Sequence, residues 1–282
     1  MRRLVAALLL SLLAACGRSD WPKPAPALWQ VTGQAGQEGW LFGTIHALPD
    51  GADWRTPVLD DALEQAGRLV VEVDNLADTR AMQAAFARRA YTPGLPPLPA
   101  RVPPADRPAL LAALDDAGLD GGELTPLEDW AAALTLANAL RRGDVTYGVD
   151  RALIAGSHRV IGLESVDEQL ALFDTLPAAA QAALLRDAVR EAGTPDDGAR
   201  IRAWLTGDTA ALEQDAATGL LADPVLRQRL QTSRNHAWLP AITGLLDDGT
   251  RPFVAVGAAH MLGPDGLPAL LRARGYTVTR IQ

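Results

Sequence analysis

The chain of 282 residues has a single cysteine, Cys16, and no excess of positive charge. One cysteine excludes a disulfide within the chain and a metal site made of several thiolates, so a buried core must stabilise the fold. A net charge of −8 at pH 7, with no basic cluster to offset it, argues against a nucleic-acid partner. The content of 48% hydrophobic and 21% charged residues is typical of a globular protein.

Long apolar runs are scarce as well. The run at 4–13 follows two arginines and is too short to span a bilayer comfortably, so it predicts a signal peptide at 1–15. It ends in Leu-Ala-Ala-Cys-Gly, which resembles a bacterial lipoprotein signal and implies lipidation of Cys16. We therefore predict an unstructured tether at 16–26 and a membrane-anchored protein of the cell envelope that faces the periplasm. The alternative is an ordinary signal peptide with an incidental cysteine.

A β-hairpin and a strand–helix–strand unit are predicted after the tether. Apolar residues at 27–31 and 39–46 flank a Gly-rich polar turn, a pattern typical of a hairpin. Thr56 and Pro57 then form a helix-start signal, and a further apolar run follows at 68–74. Such a unit implies parallel pairing of its two strands, which would bring their carboxyl ends to the same edge of a sheet.

Three predicted strands end on side chains that bind metals. The pattern Gly-x-x-His occurs at 43–46 and again at 257–260, and Glu72 lies near the end of a third apolar run. Ligands of open α/β sheets bind beyond the carboxyl ends of the strands, so His46, Glu72 and His260 are predicted to meet there. Two imidazoles and a carboxylate suit Zn, Mn, Co or Fe. The alternative for either histidine is a structural ring that hydrogen-bonds a carbonyl.

A helical region at 77–142 follows the Glu72 strand and is a candidate lid over this edge. It contains a predicted helix at 79–90 and a Pro-rich loop at 92–108 that could serve as a hinge. The residues Thr-Pro-Leu-Glu at 125–128 match a capping box with proline at the first helical position, and they predict a helix that runs to about Arg142.

Six short motifs follow one another along the domain: Gly-Thr-Ile-His at 43–46, Val-Glu-Val-Asp at 71–74, Gly-Val-Asp at 148–150, Leu-Glu at 163–164, Arg-Asn at 234–235 and Val-Gly-Ala-Ala-His-Met-Leu-Gly at 256–263. Together they resemble the TraB/GumN family, whose animal relatives are the Tiki membrane proteases. The resemblance covers nearly all of a single domain at 27–282. It implies an α/β fold with a central mixed, largely parallel sheet flanked by helices, like the erythromycin esterases and the ChaN-type haem-binding lipoproteins. It also implies divalent-metal-dependent peptide hydrolysis in which both histidines and the glutamate are essential, with Mn, Co or Zn as the cofactor.

Further polar residues have candidate roles. Glu72 is either a metal ligand or the general base that takes a proton from metal-bound water. Arg234 is a candidate to stabilise an oxyanion or to hold a substrate carboxylate, unless it merely pairs with a glutamate. Asp150, Glu164 and Asn235 are candidates to contact the substrate or to support the ligands, with structural capping as the alternative for the first two.

The sequence thus predicts a lipid-anchored, metal-dependent hydrolase that cleaves a peptide or amide bond in a peptide or small-molecule substrate. The alternative is a haem- or metal-binding lipoprotein without catalytic activity. His158 and His236 are predicted to be solvated or to lie behind the ligands.

Overall fold

A mixed six-stranded sheet forms the centre of the protein in a computed structural model that describes residues 21–141, 143–193 and 198–282. The strand order is β4-β3-β5-β2-β1-β6. The predicted α/β class, with a largely parallel sheet, is confirmed. The strands are β1 (Leu28–Thr32), β2 (Glu38–Thr44), β3 (Arg68–Val71), β4 (Val160–Gly162), β5 (Pro252–Gly257) and β6 (Thr277–Arg280).

Strand β5 lies between the two strands of the predicted strand–helix–strand unit. The first hairpin forms as predicted, with β1 antiparallel to β2. Strands β2 and β3 point the same way, but each pairs with β5 and not with the other. The prediction of direct parallel pairing was therefore wrong. The sequence of β5, Pro-Phe-Val-Ala-Val-Gly, is almost wholly apolar, which suits a central strand buried on both faces.

Helices cover both faces of this sheet. No described helix is long and apolar enough to cross a membrane. The α-helices are α1 (Pro57–Gln65), α2 (Thr79–Ala90), α3 (Arg107–Asp116), α4 (Asp129–Leu140), α5 (Val149–Ala155), α6 (Val166–Asp174), α7 (Ala178–Ala192), α8 (Ala199–Leu205), α9 (Thr209–Thr218), α10 (Pro224–Arg227), α11 (Ser233–Asp247) and α12 (Leu267–Ala273), with a π-helical segment, Gln228–Thr232, between α10 and α11.

The sheet separates two apolar cores, and a third lies among helices. Alternate residues of β5 enter opposite cores, with Phe253 and Ala255 on one face and Val254 and Val256 on the other. This is the period of two that a strand imposes. The third core surrounds the fully buried Trp130 of α4 and draws in residues from α3, α7 and α10. Helices α7 and α10, which lie outside the predicted insertion at 77–142, thus contribute to the same core as α3 and α4.

Helix α4 begins later than its sequence pattern predicts. The expected capping box at 125–128 does not form, and Glu128 instead precedes the first helical residue. The segment is held extended because the Glu128 amide donates to the carbonyl of Ala90 at 2.9 Å and Leu127 bridges to Tyr91. The Glu128 carboxylate accepts from Thr92 and from the Trp130 indole, so it cannot cap the helix.

The described part of the predicted tether, residues 21–26, lies on the domain. It contains no helix or strand, but the Ala25 amide donates to the carbonyl of Leu205 at 2.7 Å. The ring of Trp21 lies 4.8 Å from the guanidinium of Arg202. These two contacts join residues 21–26 to α8. The predicted signal peptide and Cys16 lie outside the described residues.

Candidate active site

His46 lies two residues beyond β2 and contacts Asp150 from the first turn of α5. Nδ1 of His46 is 2.8 Å from Oδ2 of Asp150, whose other oxygen accepts from the Thr44 hydroxyl at 2.5 Å. Asp150 and Thr44 are buried, whereas 64% of the His46 side chain is exposed. The carboxylate at Nδ1 favours the tautomer that leaves Nε2 as the open, basic nitrogen.

The start of α5 is positioned by the chain that follows β2. The Val149 amide donates to the carbonyl of Ile45 at 3.0 Å. A Cβ atom at Gly148 would lie 2.3 Å from the carbonyl oxygen of His46, so only glycine permits this approach. The Gly-Val-Asp motif therefore has a physical reason, because it brings Asp150 under the imidazole.

Glu72 follows β3 and is held from three directions. Its Oε1 accepts from the Gly257 amide at 2.8 Å. Its Oε2 accepts from Nη2 of Arg234 at 2.6 Å and from the amide of Gln169 at 2.9 Å. The carboxylate is buried, so these partners fix its orientation.

All five N–H groups of Arg234 are used inside the protein. Nε donates to the Glu164 carboxylate at 2.9 Å. Nη1 donates to the carbonyl of Leu230 at 3.1 Å and to Nε2 of His260 at 3.0 Å. Nη2 bridges Glu72, at 2.6 Å, and Glu164, at 2.8 Å. Since a guanidinium has five donors, none remains for a substrate oxyanion or carboxylate, which were the predicted roles. Arg234 instead holds two carboxylates in place.

His260 lies in a 3₁₀ turn, Ala258–Met261, after β5 and is buried. Its Nδ1 is 2.6 Å from Oδ1 of Asn235, and Nδ2 of Asn235 donates to the backbone carbonyls of His260 and Asp265. The ring of Trp238 packs against the imidazole with its centroid 4.5 Å away, and its indole N–H donates to Glu164 at 3.0 Å.

The three predicted ligand residues surround Gly257. A Cβ atom placed on Gly257 would lie 3.1 Å from Oε1 of Glu72, 3.8 Å from Cδ2 of His260 and 3.9 Å from Nε2 of His46. At the other motif, a Cβ atom on Gly43 would lie 2.9 Å from Cα of Ala258. Gly257 thus permits close approach of the Glu72 carboxylate, and Gly43 permits close approach of the backbone at Ala258.

A metal centre made of all three residues does not fit this arrangement. Among the described ranges, no group of three His, Cys, Asp or Glu side chains is placed to hold a metal ion. The physical reason is Arg234, which donates to Nε2 of His260 and to Oε2 of Glu72, where a divalent cation would need open lone pairs. Two lone pairs remain available to a metal ion, one on Nε2 of His46 and one on Oε1 of Glu72.

Burial and charge shift the pKa values of these groups in different directions. Burial alone raises the pKa of Glu72, but His260 and Arg234, with His46 and the Gly257 amide, outweigh it and hold the pKa well below its usual range. Burial lowers the pKa of His260 to about 4 against the attraction of Glu72, so its ring is neutral. Desolvation also works against protonation of His46, but the hydrogen bond and charge of Asp150 raise its pKa overall. Solvent weakens these effects because the ring is largely exposed.

Sequence reasoning missed two residues of this site. Gln169 donates to Glu72 from the first turn of α6, which begins with a capping box between Ser165 and Glu168. That capping box was the available signal, since it fixes the start of the helix just after Glu164. Arg141 follows α4, and its charge acts to lower the pKa of His46. No motif marks it.

The predicted residues Asp150, Glu164 and Asn235 all contact a histidine or an arginine of the site. His158 and His236 do not, and both are exposed. The site therefore combines an open His46–Asp150 pair with a buried network of Glu72, Arg234, Glu164, His260 and Asn235.

Comparison with known proteins agrees with the motifs. A model of the TraB/PrgY/gumN family matches residues 27–280. An uncharacterised protein of Treponema pallidum (strain Nichols) is 24% identical over 275 residues, which cover 87% of this chain and 80% of the relative. No solved structure matches the chain. The family match spans the sheet, the helical unit and both Gly-x-x-His motifs, and this chain is a member of the TraB/PrgY/gumN family.

Proposed function

We propose that this protein hydrolyses a peptide or amide bond, with His46 as the base that activates water. The observation that carries the proposal is the 2.8 Å contact between Nδ1 of His46 and Oδ2 of the buried Asp150, in a histidine that is 64% exposed. An imidazole within reach of substrate, oriented by a carboxylate, is an arrangement suited to general-base catalysis.

In the proposed reaction, Nε2 of His46 takes a proton from water while the oxygen attacks the carbonyl carbon. Asp150 holds the ring and stabilises the imidazolium that forms. When the C–N bond breaks, His46 returns the proton to the leaving nitrogen, so the atoms balance as amide plus water giving acid plus amine. Glu72 lies beside the same space, and its Oε1 retains a lone pair that can accept the second hydrogen of the attacking water.

Arg141 supplies positive charge on the His46 side of the site. Its guanidinium makes no hydrogen bond or ion pair to the residues that the structure describes, and burial lowers its pKa. We assign it to the substrate, where a forked cation would meet a carboxylate or the carbonyl oxygen that becomes negative. Arg234 is a positioning residue, because its contacts are all internal.

A metal-dependent form of the same hydrolase is the second candidate. Nδ1 of each site histidine is bound to a side-chain oxygen, from Asp150 or Asn235, and this is how proteins orient imidazoles whose Nε2 binds a metal. Mn, Co or Zn at His46, Glu72 and His260 would require Arg234 to release His260. An ion bound only by the folded state raises the melting temperature. If Mn, Co or Zn raises the melting temperature of the wild type but not of His260→Ala, the metal-dependent form is supported. If none of these ions raises it, the metal-dependent form is rejected, and the proposed role of His46 as a base is unaffected.

The proposal is tested by release of primary amines from a peptide mixture. Since general-base catalysis contributes about 10²–10⁴-fold, His46→Ala and Asp150→Asn are expected to lower the rate by at least about 100-fold. His236→Ala is the matched control, because that ring is exposed on α11. A wild type that releases no amine, or a His46→Ala variant as active as the control, would overturn the proposal.

We also propose that lipidated Cys16 anchors the protein in the cell envelope, facing the periplasm. The support is the sequence alone, a basic start, a short apolar run and the Leu-Ala-Ala-Cys segment at 13–16. One acyl chain binds a membrane only marginally, so firm anchoring needs more than one chain.

A further inference from the structure

A second concave site lies at the other edge of the sheet, away from His46. It is a half-open crevice of about 390 Å³ next to the amino-terminal end of β3, where Arg68 and Leu69 begin the strand that leads to Glu72. Its walls come from α1, from the end of α5 and from the turn before β4. The lining residues are Arg55, Leu63, Ala66, Gly67, Arg68, Leu69, Ala152, Leu153, Gly156, Ser157, His158, Arg159 and Phe253.

The crevice carries three arginines and a histidine, and none of its lining residues is acidic. Arg55 is partly neutralised by Asp60, 2.5 Å away, and Nη1 of Arg68 donates to the carbonyl of Gly67. The side chains of Arg159 and His158 are exposed and make no hydrogen bond or ion pair with the residues that the structure describes. At least one guanidinium is thus available to a ligand.

Two helix ends oppose this positive charge without cancelling it. The carboxyl ends of α1 and α5 face the crevice at Ala66 and Gly156, and each brings at most about half a negative charge. Some carbonyls of the last turns, those of Ala62 in α1 and of Ala152 and Ile154 in α5, accept hydrogen bonds from the backbone that follows, which reduces the effect further. Among the lining residues themselves, three arginines stand with no carboxylate.

The inner wall of the crevice is apolar. Leu63 and Ala66 are partly exposed there, and they pack against the buried side chains of Leu69, Leu153 and Phe253, each no more than 5% exposed. A bare inorganic ion would leave the exposed parts of Leu63 and Ala66 in contact with water. An apolar wall beside a few charged groups is typical of small-molecule sites, in which the apolar part contributes affinity and the polar groups fix the orientation.

We propose that this crevice binds a small organic anion, with a carboxylate, sulfonate or phosphate at Arg159 and Arg68 and an apolar body against Leu63, Ala66 and Ala152. The forked donors of arginine match such oxyanions. The site is separate from the hydrolytic proposal, because neither His46 nor Glu72 lines it.

The test uses 8-anilinonaphthalene-1-sulfonate, an aromatic sulfonate that fluoresces when bound in apolar surroundings, titrated into the whole protein. Saturable 1:1 binding is expected. Since a hydrogen bond to a charged group contributes about 1.5–3 kcal/mol, Arg159→Glu should weaken binding by at least about tenfold. Ala152→Leu should do the same through the apolar wall, with no change in charge. Arg186→Glu, on the exposed face of α7, matches the charge change and should leave binding unaltered.

Several outcomes would overturn the assignment. If the wild type and both crevice variants bind the probe equally well, the probe binds elsewhere. If Arg186→Glu weakens binding as much as Arg159→Glu does, the effect is one of net charge only. Octanoate and phenyl phosphate should each displace the probe as soluble anions. If neither displaces it but vesicles of phosphatidylglycerol do, the surface recognises a membrane and not a small anion. Unchanged melting temperatures in the variants show that the fold is kept.

Discussion

Nη1 of Arg234 donates a hydrogen bond to Nε2 of His260 at 3.0 Å, and this contact fixes the state of the histidine. A guanidinium cannot accept a hydrogen bond, so Nε2 is the acceptor and Nδ1 carries the proton that goes to Oδ1 of Asn235. His260 is therefore neutral, which agrees with its pKa of about 4. The guanidinium of Arg234 is therefore the cation that organises the buried half of the site in this structure.

Replacement of Arg234 by methionine should destabilise the protein strongly. The buried Glu72 and the largely buried Glu164 would lose their cation, and the loss of one partner of a buried ion pair costs about 3–5 kcal/mol. Urea unfolding measures the change, with Arg186→Met on the exposed face of α7 as the control. A loss of less than about 1 kcal/mol would show that the pairing with Arg234 does not hold these carboxylates.

Of two glycine-to-alanine changes, one should lower the hydrolytic activity and the other should raise the stability. In Gly257→Ala the new Cβ would lie 3.1 Å from Oε1 of Glu72, so the carboxylate must shift and hydrolysis should fall. Gly244 lies within α11 with nothing within 4 Å of its Cβ position, so Gly244→Ala should stabilise the protein by about 0.5–1 kcal/mol with unchanged activity. Amine release and melting temperature are measured for both. An active Gly257→Ala variant would mean that the position of Glu72 is not critical.

The Pro-rich segment at 92–108 should become sensitive to protease when Arg101 is changed to methionine. The side chain of Arg101 is 8% exposed, and its guanidinium donates to the carbonyl of Leu127 at 2.6 Å and to Asp129 at 3.1 Å. Groups left unpaired in this way cost about 1–3 kcal/mol each. Limited proteolysis followed by mass spectrometry locates the cuts, with the exposed Arg107→Met as the control. Similar cleavage of both variants would count against Arg101 as the anchor.

The same segment tests the lid hypothesis for 77–142. A lid that closes over a bound ligand should protect the residues at 92–108 from protease when a substrate saturates the protein. Equal cleavage with and without a saturating ligand would contradict a lid.

Cys16 should carry the lipid anchor. A clickable fatty acid supplied to expressing cells should label the wild type, which should fractionate with membranes. Cys16→Ser should lose both the label and the membrane fraction. An unlabelled wild type leaves the cysteine incidental.

The sequence was enough to predict which side chains would meet, because parallel strands present their carboxyl ends at the same edge of the sheet. His46, Glu72 and His260 each follow such a strand, and the structure places all three around Gly257. The strand order could not be predicted in the same way, since β5 comes from the far end of the chain and its insertion between β2 and β3 depends on tertiary packing.

The hydrogen-bond partners within the site were also beyond the sequence. Arg234 looked like a residue for substrate because its type suits anions, but its five donors are taken by groups that four other segments bring within 3.2 Å. Local signals can mislead for the same reason. The pattern at 125–128 matches a capping box, yet pairing with residues 90–92 holds it extended.

The central claim, that His46 is a base held by Asp150, is tested most directly by the pH dependence of amine release. A base acts in its neutral form, so kcat/KM should rise as pH increases through the pKa of His46, which Asp150 raises above its ordinary value. Asp150→Asn removes the negative charge and should move this rise to lower pH, with a plateau at least about 100-fold lower. If the rise stays at the same pH in Asp150→Asn, or the plateau is undiminished, His46 is not the base and the account is contradicted.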